Sequence, residues 1–336
     1  MPSRVAASVA SVLLLVTGML PASASPTFSF GLWGDLPYAR SNDVPKMQPL
    51  IDDMNAADIA FSIYDGDLKD GSSKCTDDVF TSSIAMFNRL RKPAIYVPGD
   101  NEWTDCHRLN NGGYDNLERL AYLRRIMFAR PESFGTETVM LTHQAKPGEA
   151  YYENIRFEHG GIIFAGLNIP GSNNNRVHDD EECTNKSART PAMCAADNKE
   201  YEERDAADIA WMREAFELAR SGKAAGIVLV FQADPGFDLP ETEKKNERKD
   251  PAFDGYTSFL DKLVEEARSY AGQVLIVHGD THYFKVDKPL IDQAHPIPNI
   301  TRLQTFGSPN ANWVRVDVDP ASRDVFVIRQ MIVPAR

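Results

Sequence analysis

Basic charge is what this chain most lacks: 36 Lys and Arg stand against 48 Asp and Glu in 336 residues, a formal net charge of −12. A field of that sign repels nucleic acid and anionic membranes, so neither is expected as a partner through a broad basic surface. A small phosphorylated substrate is compatible with it where bound cations reverse the potential locally. Cysteine is scarce too, four residues with no Cys-x-x-Cys, which argues against redox catalysis and structural zinc. No Gly-x-Ser-x-Gly elbow occurs, so a serine hydrolase of the α/β type is not expected. Beyond Val5 to Leu20 no apolar run approaches transmembrane length, and that run falls short of the roughly 20 residues a span needs.

What is present begins with that same run. Arg4, the apolar stretch and Ala22-Ser23-Ala24 together read as an export signal cleaved after residue 24. The mature chain is then expected to start at Ser25, and losing Arg4, the one charged residue of the leader, takes the charge from −12 to −13. Residues 25–336 show no composition break and are read as a single domain in a secreted or periplasmic protein, with no membrane attachment after signal removal. The sequence specifies no oligomeric state. An even set of cysteines in an exported chain favours disulfides. Three pairings are possible; proximity favours Cys183 with Cys194, and Cys75 with Cys106 would then join the loops after two strands.

Apolar runs closed by turn formers occur at Phe30–Trp33, Ile59–Tyr64 and Ala94–Val97, and helical patterns at Val44–Asn55 and Thr81–Arg91 lie between them. This order is βαβαβ with parallel strands, which puts all three strand ends on one edge. A helix is expected over Asp115–Phe128 and a hairpin over Tyr151–Leu167. Gly171–Asp197 reads as a long surface loop and Lys199–Arg220 as a helix. A strand at Gly226–Phe231, a helix at Tyr256–Ser269 and a strand at Val274–Val277 follow. Three C-terminal runs, Ile300–Phe306, Trp313–Val318 and Val325–Ile332, read as strands closing a second sheet. Two packed sheets with helices outside, an α/β class fold, fit this order.

The polar groups stand where strands end, the edge at which open α/β sheets bind ligands. They are Gly34-Asp35-Leu36-Pro37, Gly66-Asp67-Leu68-Lys69-Asp70, Gly99-Asp100-Asn101-Glu102, Val230-Phe231-Gln232 and His278-Gly279-Asp280-Thr281-His282. In order and spacing these motifs resemble the calcineurin-like metallophosphoesterases, and the branch containing purple acid phosphatases in particular, over a stretch from about Thr27 to past Gly307. The resemblance implies a four-layer α/β/β/α sandwich of two mixed sheets. It also implies one or two divalent ions, bridged by Asp67, that activate water against a phosphomonoester or diester.

The departures are specific. The family's first-motif His falls on Pro37, which leaves Asp35, Asp67, His282 and Asp70 for the first ion. At the second, Asp100, Gln232 and Asp280 stand where the family has Asn, His and His. With Asp67 these are all oxygen donors, which favours Mg, Mn or Ca over Zn or Fe. A one-residue shift would make Asn101 the ligand and Glu102 the acid. Proton donation to the leaving group has four candidate positions, Asn101, Glu102, His107 and His278, of which Asn101 cannot act as an acid. Tyr38, Trp103, Phe237 and Tyr283 flank the motifs as a candidate aromatic wall. The alternative to an exported phosphoesterase is a degenerate relative that binds a hard cation as a binding or structural protein, because loss of ligands removes catalysis before fold.

Overall fold

The computed structural model describes residues 25–236, 254–289 and 297–334. The proposed leader and Phe237 lie outside them. The chain opens with β1 (Phe28–Trp33), α1 (Met47–Ala56), β2 (Ser62–Tyr64), α2 (Asp77–Phe87), β3 (Ala94–Tyr96) and α3 (Asn116–Met127). The three strands pair in parallel. A short β4 (Thr142–His143) leads to the hairpin of β5 (Ile155–His159) and β6 (Ile162–Gly166), whose two-residue turn places Gly160 and Gly161 at φ 58° and 77°. Paired positive φ values make the tight turn that suits the right-handed twist of a hairpin.

A one-turn α4 (Gly171–Asn174), α5 (Asp180–Thr184) and the 32-residue α6 (Pro191–Gly222) come next. They are followed by β7 (Gly226–Val230), α7 (Thr257–Arg268), β8 (Gln273–His278), β9 (Lys285–Asp287) and β10 (Ile300–Gln304). The chain closes with β11 (Trp313–Val318) and β12 (Phe326–Met331). The sheets are mixed, with orders β12-β11-β1-β2-β3 and β4-β5-β6-β7-β8-β10-β9.

Period-2 alternation explains the layers. In β6, Ile162 and Phe164 enter the core between the sheets, while Ile163 and Ala165 face the layer formed by α6 and α7. Phe30 and Phe61 meet Phe164 edge to face across the two sheets, with ring centroids 5.2 and 5.1 Å apart. Trp313 of β11 donates its indole N–H to Asp53 of α1 at 2.7 Å, tying the other helical layer to its sheet.

Two expectations change here. Only β10 joins the second sheet; β11 runs antiparallel along β1 in the first, and β12 extends it. Alternation reports that a strand has a buried face, and says nothing about which sheet supplies the partner. The segment read as a surface loop over Gly171–Asp197 instead contains α4, α5 and the start of α6, with Asn174 and Asn175 buried. Pro191 at the first helical position and the Thr190 side chain, which accepts from Met193 N, start α6 eight residues before the expected Lys199.

Both disulfides join Cys75 to Cys106 and Cys183 to Cys194, as oxidising compartments permit. Cys75–Cys106 closes a 31-residue separation and fastens the loop after β2 to the loop after β3. Replacing both with Ser is expected to cost about 2–4 kcal/mol in chemical unfolding. A loss below about 0.5 kcal/mol would show that the two loops are held by other contacts. Among the described residues no helix is long and apolar enough to cross a membrane.

Candidate functional site

Five parallel strands, three from the first sheet and two from the second, deliver polar groups to one place. Asp35 follows β1, Asp67 follows β2, Asp100 follows β3, Gln232 follows β7 and Asp280 follows β8. Glycine precedes four of these: at Gly34, Gly99 and Gly279 the backbone runs hard against a carboxylate, and at Gly66 against the Gln232 side chain. A Cβ on Gly99 would lie 2.2 Å from Asp67 Oδ1, and one on Gly279 2.2 Å from Asp35 Oδ2. Asp35, Asp67, Asp280 and His282 all adopt φ between 51° and 73°, a left-handed conformation that is uncommon outside glycine and clusters at functional sites.

Tyr38 sits at the centre. Its hydroxyl donates to Asp67 Oδ2 at 2.8 Å, lies 3.4 Å from Asp35 Oδ1, and accepts from Asn101 Nδ2 at 3.1 Å. Asn101 also donates its backbone N–H to Asp67 Oδ1 at 3.1 Å and its amide to Asp67 Oδ2. Gln232 is fully buried and its orientation is set by Gly171 N, which donates to Oε1 at 2.6 Å. Its NH₂ is thereby aimed at Asp100 Oδ1 and Asp280 Oδ1, 3.3 Å from each. Ser172 Oγ lies 2.7 Å from both Asp100 Oδ2 and Asp105 Oδ1. Asp280 N donates to Asp35 Oδ2, and Asp234 N to Asp280 Oδ2, each at 3.2 Å. His282 Nδ1 bonds the Ser308 carbonyl at 2.7 Å and Nε2 lies 3.4 Å from Asp35 Oδ1.

Burial, with the charges of Asp100 and Asp35 added to it, pushes the Asp67 and Asp280 carboxyls well above the usual range. Asp65, beneath the cluster and bonded by Thr305 at 2.8 Å, is raised by burial and by Asp35. Asp105 is pushed up to about 7 by burial and then by Asp100. The Ser172 hydroxyl has one proton to give and two carboxyl oxygens at 2.7 Å, and the raised Asp105 is suited to supply the second proton. For His282 burial acts downward, but the hydrogen bond and charge of Asp35 prevail and hold it at about 8.

The other candidates are placed differently. Glu102 is fully buried behind the strand ends. Its Oε1 accepts from Gly99 N and the Tyr96 hydroxyl, both at 2.7 Å, and its Oε2 from Leu68 N at 3.2 Å. It clamps β2 to β3 and presents no free oxygen to a leaving group. Asp70 caps a turn, accepting from Ser72 N and Oγ at 3.1 and 2.9 Å, and Lys69 donates to the Asp70 carbonyl at 3.1 Å. His278 is buried with its ring stacked on Phe231, centroids 6.4 Å apart. His107 faces a neighbouring cleft, its Nδ1 2.8 Å from Ser187 Oγ, and burial together with Arg189 and Arg108 lowers it to about 3. At neutral pH it is uncharged and cannot serve as an acid. Trp103 is buried against the Arg204 guanidinium, 5.2 Å from the ring centroid, and Tyr283 is exposed, so neither builds an aromatic wall.

Sequence reasoning assigned Tyr38 to that wall and passed over Ser172, Asp65 and Asp105. Tyr38 carried a signal, its position three residues after Asp35. Ser172 carried none, because α4 comes to the cluster only through the tertiary fold.

The donor set as it stands does not fit a two-metal centre. Both oxygens of Asp35, Asp67, Asp100 and Asp280 are engaged by protein groups, and the amides of Gln232 and Asn101 offer N–H where a ligand must offer a lone pair. Among the described residues no three His, Cys, Asp or Glu side chains converge to hold an ion.

No family model matches the chain, and no curated protein matches it in sequence. Solved structures resemble it at low identity, with TM-scores below 0.5. GAP50, the anchor in the inner membrane complex of Plasmodium, is 11% identical with a TM-score of 0.44, over 92% of this chain and 90% of that one. A 5′-nucleotidase from Candida albicans is 11% identical with a TM-score of 0.42, over 90% of this chain and 50% of the other. A purple acid phosphatase from yellow lupin seeds is 12% identical with a TM-score of 0.48, over 91% and 54%. The chain spans about half the length of these two enzymes.

Proposed function

We propose that the mature chain, residues 25–336, is an exported phosphoesterase-fold protein that binds a ligand without hydrolysing it. The observation that supports this reading is the closure of the carboxylate cluster by protein donors, above all the Gln232 amide fixed between Asp100 and Asp280 by Gly171 N. Reorienting Gln232 to offer its oxygen would strip the Gly171 N–H of its partner in a buried site, at a cost of about 1–3 kcal/mol. Tyr38 and Asn101 cap the carboxylate that a pair of ions would share, and of the residues named for protonating a leaving group, Glu102 is turned inward and His107 is uncharged.

The test is turnover of a panel of phosphomonoesters and diesters by the mature protein with Mg²⁺, Mn²⁺, Ca²⁺, Zn²⁺ or Fe. The expected result is none above buffer. Hydrolysis that disappears in Asp67→Asn would overturn the reading and restore a metal-dependent phosphoesterase.

A second reading has its own support in the number of buried acids. Asp35, Asp65, Asp67, Asp100 and Asp280 crowd one region that contains Lys69 and His282 as cations, and burial and mutual repulsion raise Asp65, Asp67 and Asp280, which then hold protons or accept a cation. One hard divalent ion, Mg, Mn or Ca, would discharge them by displacing protons. Calorimetry with Ca²⁺ and Mg²⁺ separates the two readings: protons released on tight binding favour the ion, and no heat favours the proton-sharing network.

A further inference from the structure

Beside the cluster lies a cleft of about 500 Å³ whose lining reverses the charge of the chain. Arg108, Arg176, Lys186 and Arg189 line it, against Asp105 and Glu182, in a protein of net charge −12. We propose that this cleft is a binding site for a small organic phosphate, the phosphate seated between His107, Arg108 and Lys186.

The walls are built to hold a shape. One is the Thr104–Asn110 loop, the other runs from Ser172 to Arg189, and backbone hydrogen bonds stitch them together, Leu109 N to Lys186 O and Ala188 N to His107 O, both at 2.9 Å. A disulfide braces each wall, Cys75–Cys106 next to His107 and Cys183–Cys194 at α5. A preformed concave site of this size is the usual form of a small-molecule pocket, and fixed walls lower the ordering cost of binding.

The hydrogen-bond count makes His107 a donor. Ser187 Oγ accepts from Arg189 N and Arg189 Nε at 3.0 and 3.3 Å, so its one proton goes to His107 Nδ1 at 2.8 Å. The neutral ring then carries its proton on Nε2, which bonds to nothing among the described residues. The Lys186 ammonium pairs with no carboxylate among the described residues and its side chain is exposed. Arg108 is 40% exposed and bonded on one edge, NH1 to Asp105 and NH2 to Ser172 Oγ at 3.1 Å. A neutral N–H, a guanidinium and an ammonium facing one space match the several acceptor oxygens of a phosphate better than the two of a carboxylate. The amide of Asn110, also on the lining, suits a hydroxylated organic group. Nucleic acid is disfavoured because the surrounding field is negative. The site adjoins the carboxylate cluster through Asp105 and Ser172, and phosphate binding there stands or falls separately from the absence of hydrolysis.

The test is calorimetry on the mature protein in EDTA, with inorganic phosphate and glycerol 3-phosphate as probes. Both are expected to bind and glycerol is not. Lys186→Glu is expected to weaken both by about 10-fold or more, Lys186→Arg to retain them, and added salt to weaken the wild type. The exposed position of Lys186 keeps both variants folded, which circular dichroism verifies. No heat with either probe at millimolar concentration, or equal affinities in wild type and Lys186→Glu, would overturn the proposal.

Discussion

Arg204→Met is expected to destabilise the protein by about 3–5 kcal/mol and to loosen the segment that covers the carboxylate cluster. Arg204 is fully buried in α6. It donates to the Asn168 carbonyl at 2.8 Å, to the Asn174 carbonyl at 2.8 Å and side chain at 2.5 Å, and to Glu200 at 2.7 Å, and it lies 3.6 Å from Asp208. Methionine fills much of the volume and replaces none of those bonds. It leaves the Asn168 and Asn174 carbonyls without this donor and takes the cation away from Glu200 and Asp208, which keep only the Asn175 and Asn154 amides among the described residues, and removing one member of a buried charge network is far more damaging than never having built it. Asn168 and Asn174 flank Gly171, whose N–H orients Gln232, so hydrogen exchange at Gly171 and Ser172 should accelerate as well. Urea unfolding measures the first effect. A loss under about 1 kcal/mol would mean that the segment is held elsewhere, by Tyr256, whose hydroxyl donates to the Pro170 carbonyl at 3.0 Å.

Stability is expected to fall by several kcal/mol between about pH 4 and pH 8, with its maximum on the acid side. Asp105 titrates near 7 in the folded protein against an ordinary value of 3.8, and Asp197 and Asp205 near 6, in each case with burial as the main cause. Between the two values the folded state holds more protons than the unfolded chain, so each rise in pH favours unfolding, by about 1.4 kcal/mol per unit for each such group. His282 works in the same direction. Its value of about 8 against 6.5 gives stability that is present below 6.5 and lost as pH rises through 8. Below pH 4 the sign reverses, because Asp317, held at about 2 by Arg329, Arg315 and Ser29 against the opposing effect of burial, is stabilising only while ionised. Urea midpoints across pH 3–9 test the profile, and Asp105→Asn should flatten it between pH 4 and 7. A wild-type optimum at pH 8 would contradict it, and a slope unchanged in Asp105→Asn would remove Asp105 as its source. Calcium that restores stability at pH 8 would favour the cation reading of the cluster.

Much of this was legible in the residue order. Gly-Asp after three apolar runs set the strands parallel and their carboxylates on one edge, since a βαβ unit leaves little freedom of handedness or direction. The same reasoning located Gln232, Asp280 and His282 at the ends of β7 and β8. Chemistry inside the cluster was not legible. Glu102 reads as an acid/base residue from its neighbours in sequence, yet it turns inward because Gly99 N, Leu68 N and the Tyr96 hydroxyl all need an acceptor there. Gln232 reads as a ligand, and the direction of its amide is decided by Gly171, 61 residues away.

By itself, then, the sequence determined the strand order of the first half, the edge at which polar groups collect, the acidic balance and the cysteine content. Each follows from local periodicity, turn chemistry or composition, which act over a few residues. Only the tertiary structure decided that β11 and β12 extend the first sheet, that Tyr38 and Ser172 enter the carboxylate cluster, and that a cationic cleft forms beside it. Those outcomes depend on which buried donor meets which buried acceptor. Partners separated by tens to hundreds of residues are chosen by packing the whole chain so that few polar groups are left unpaired.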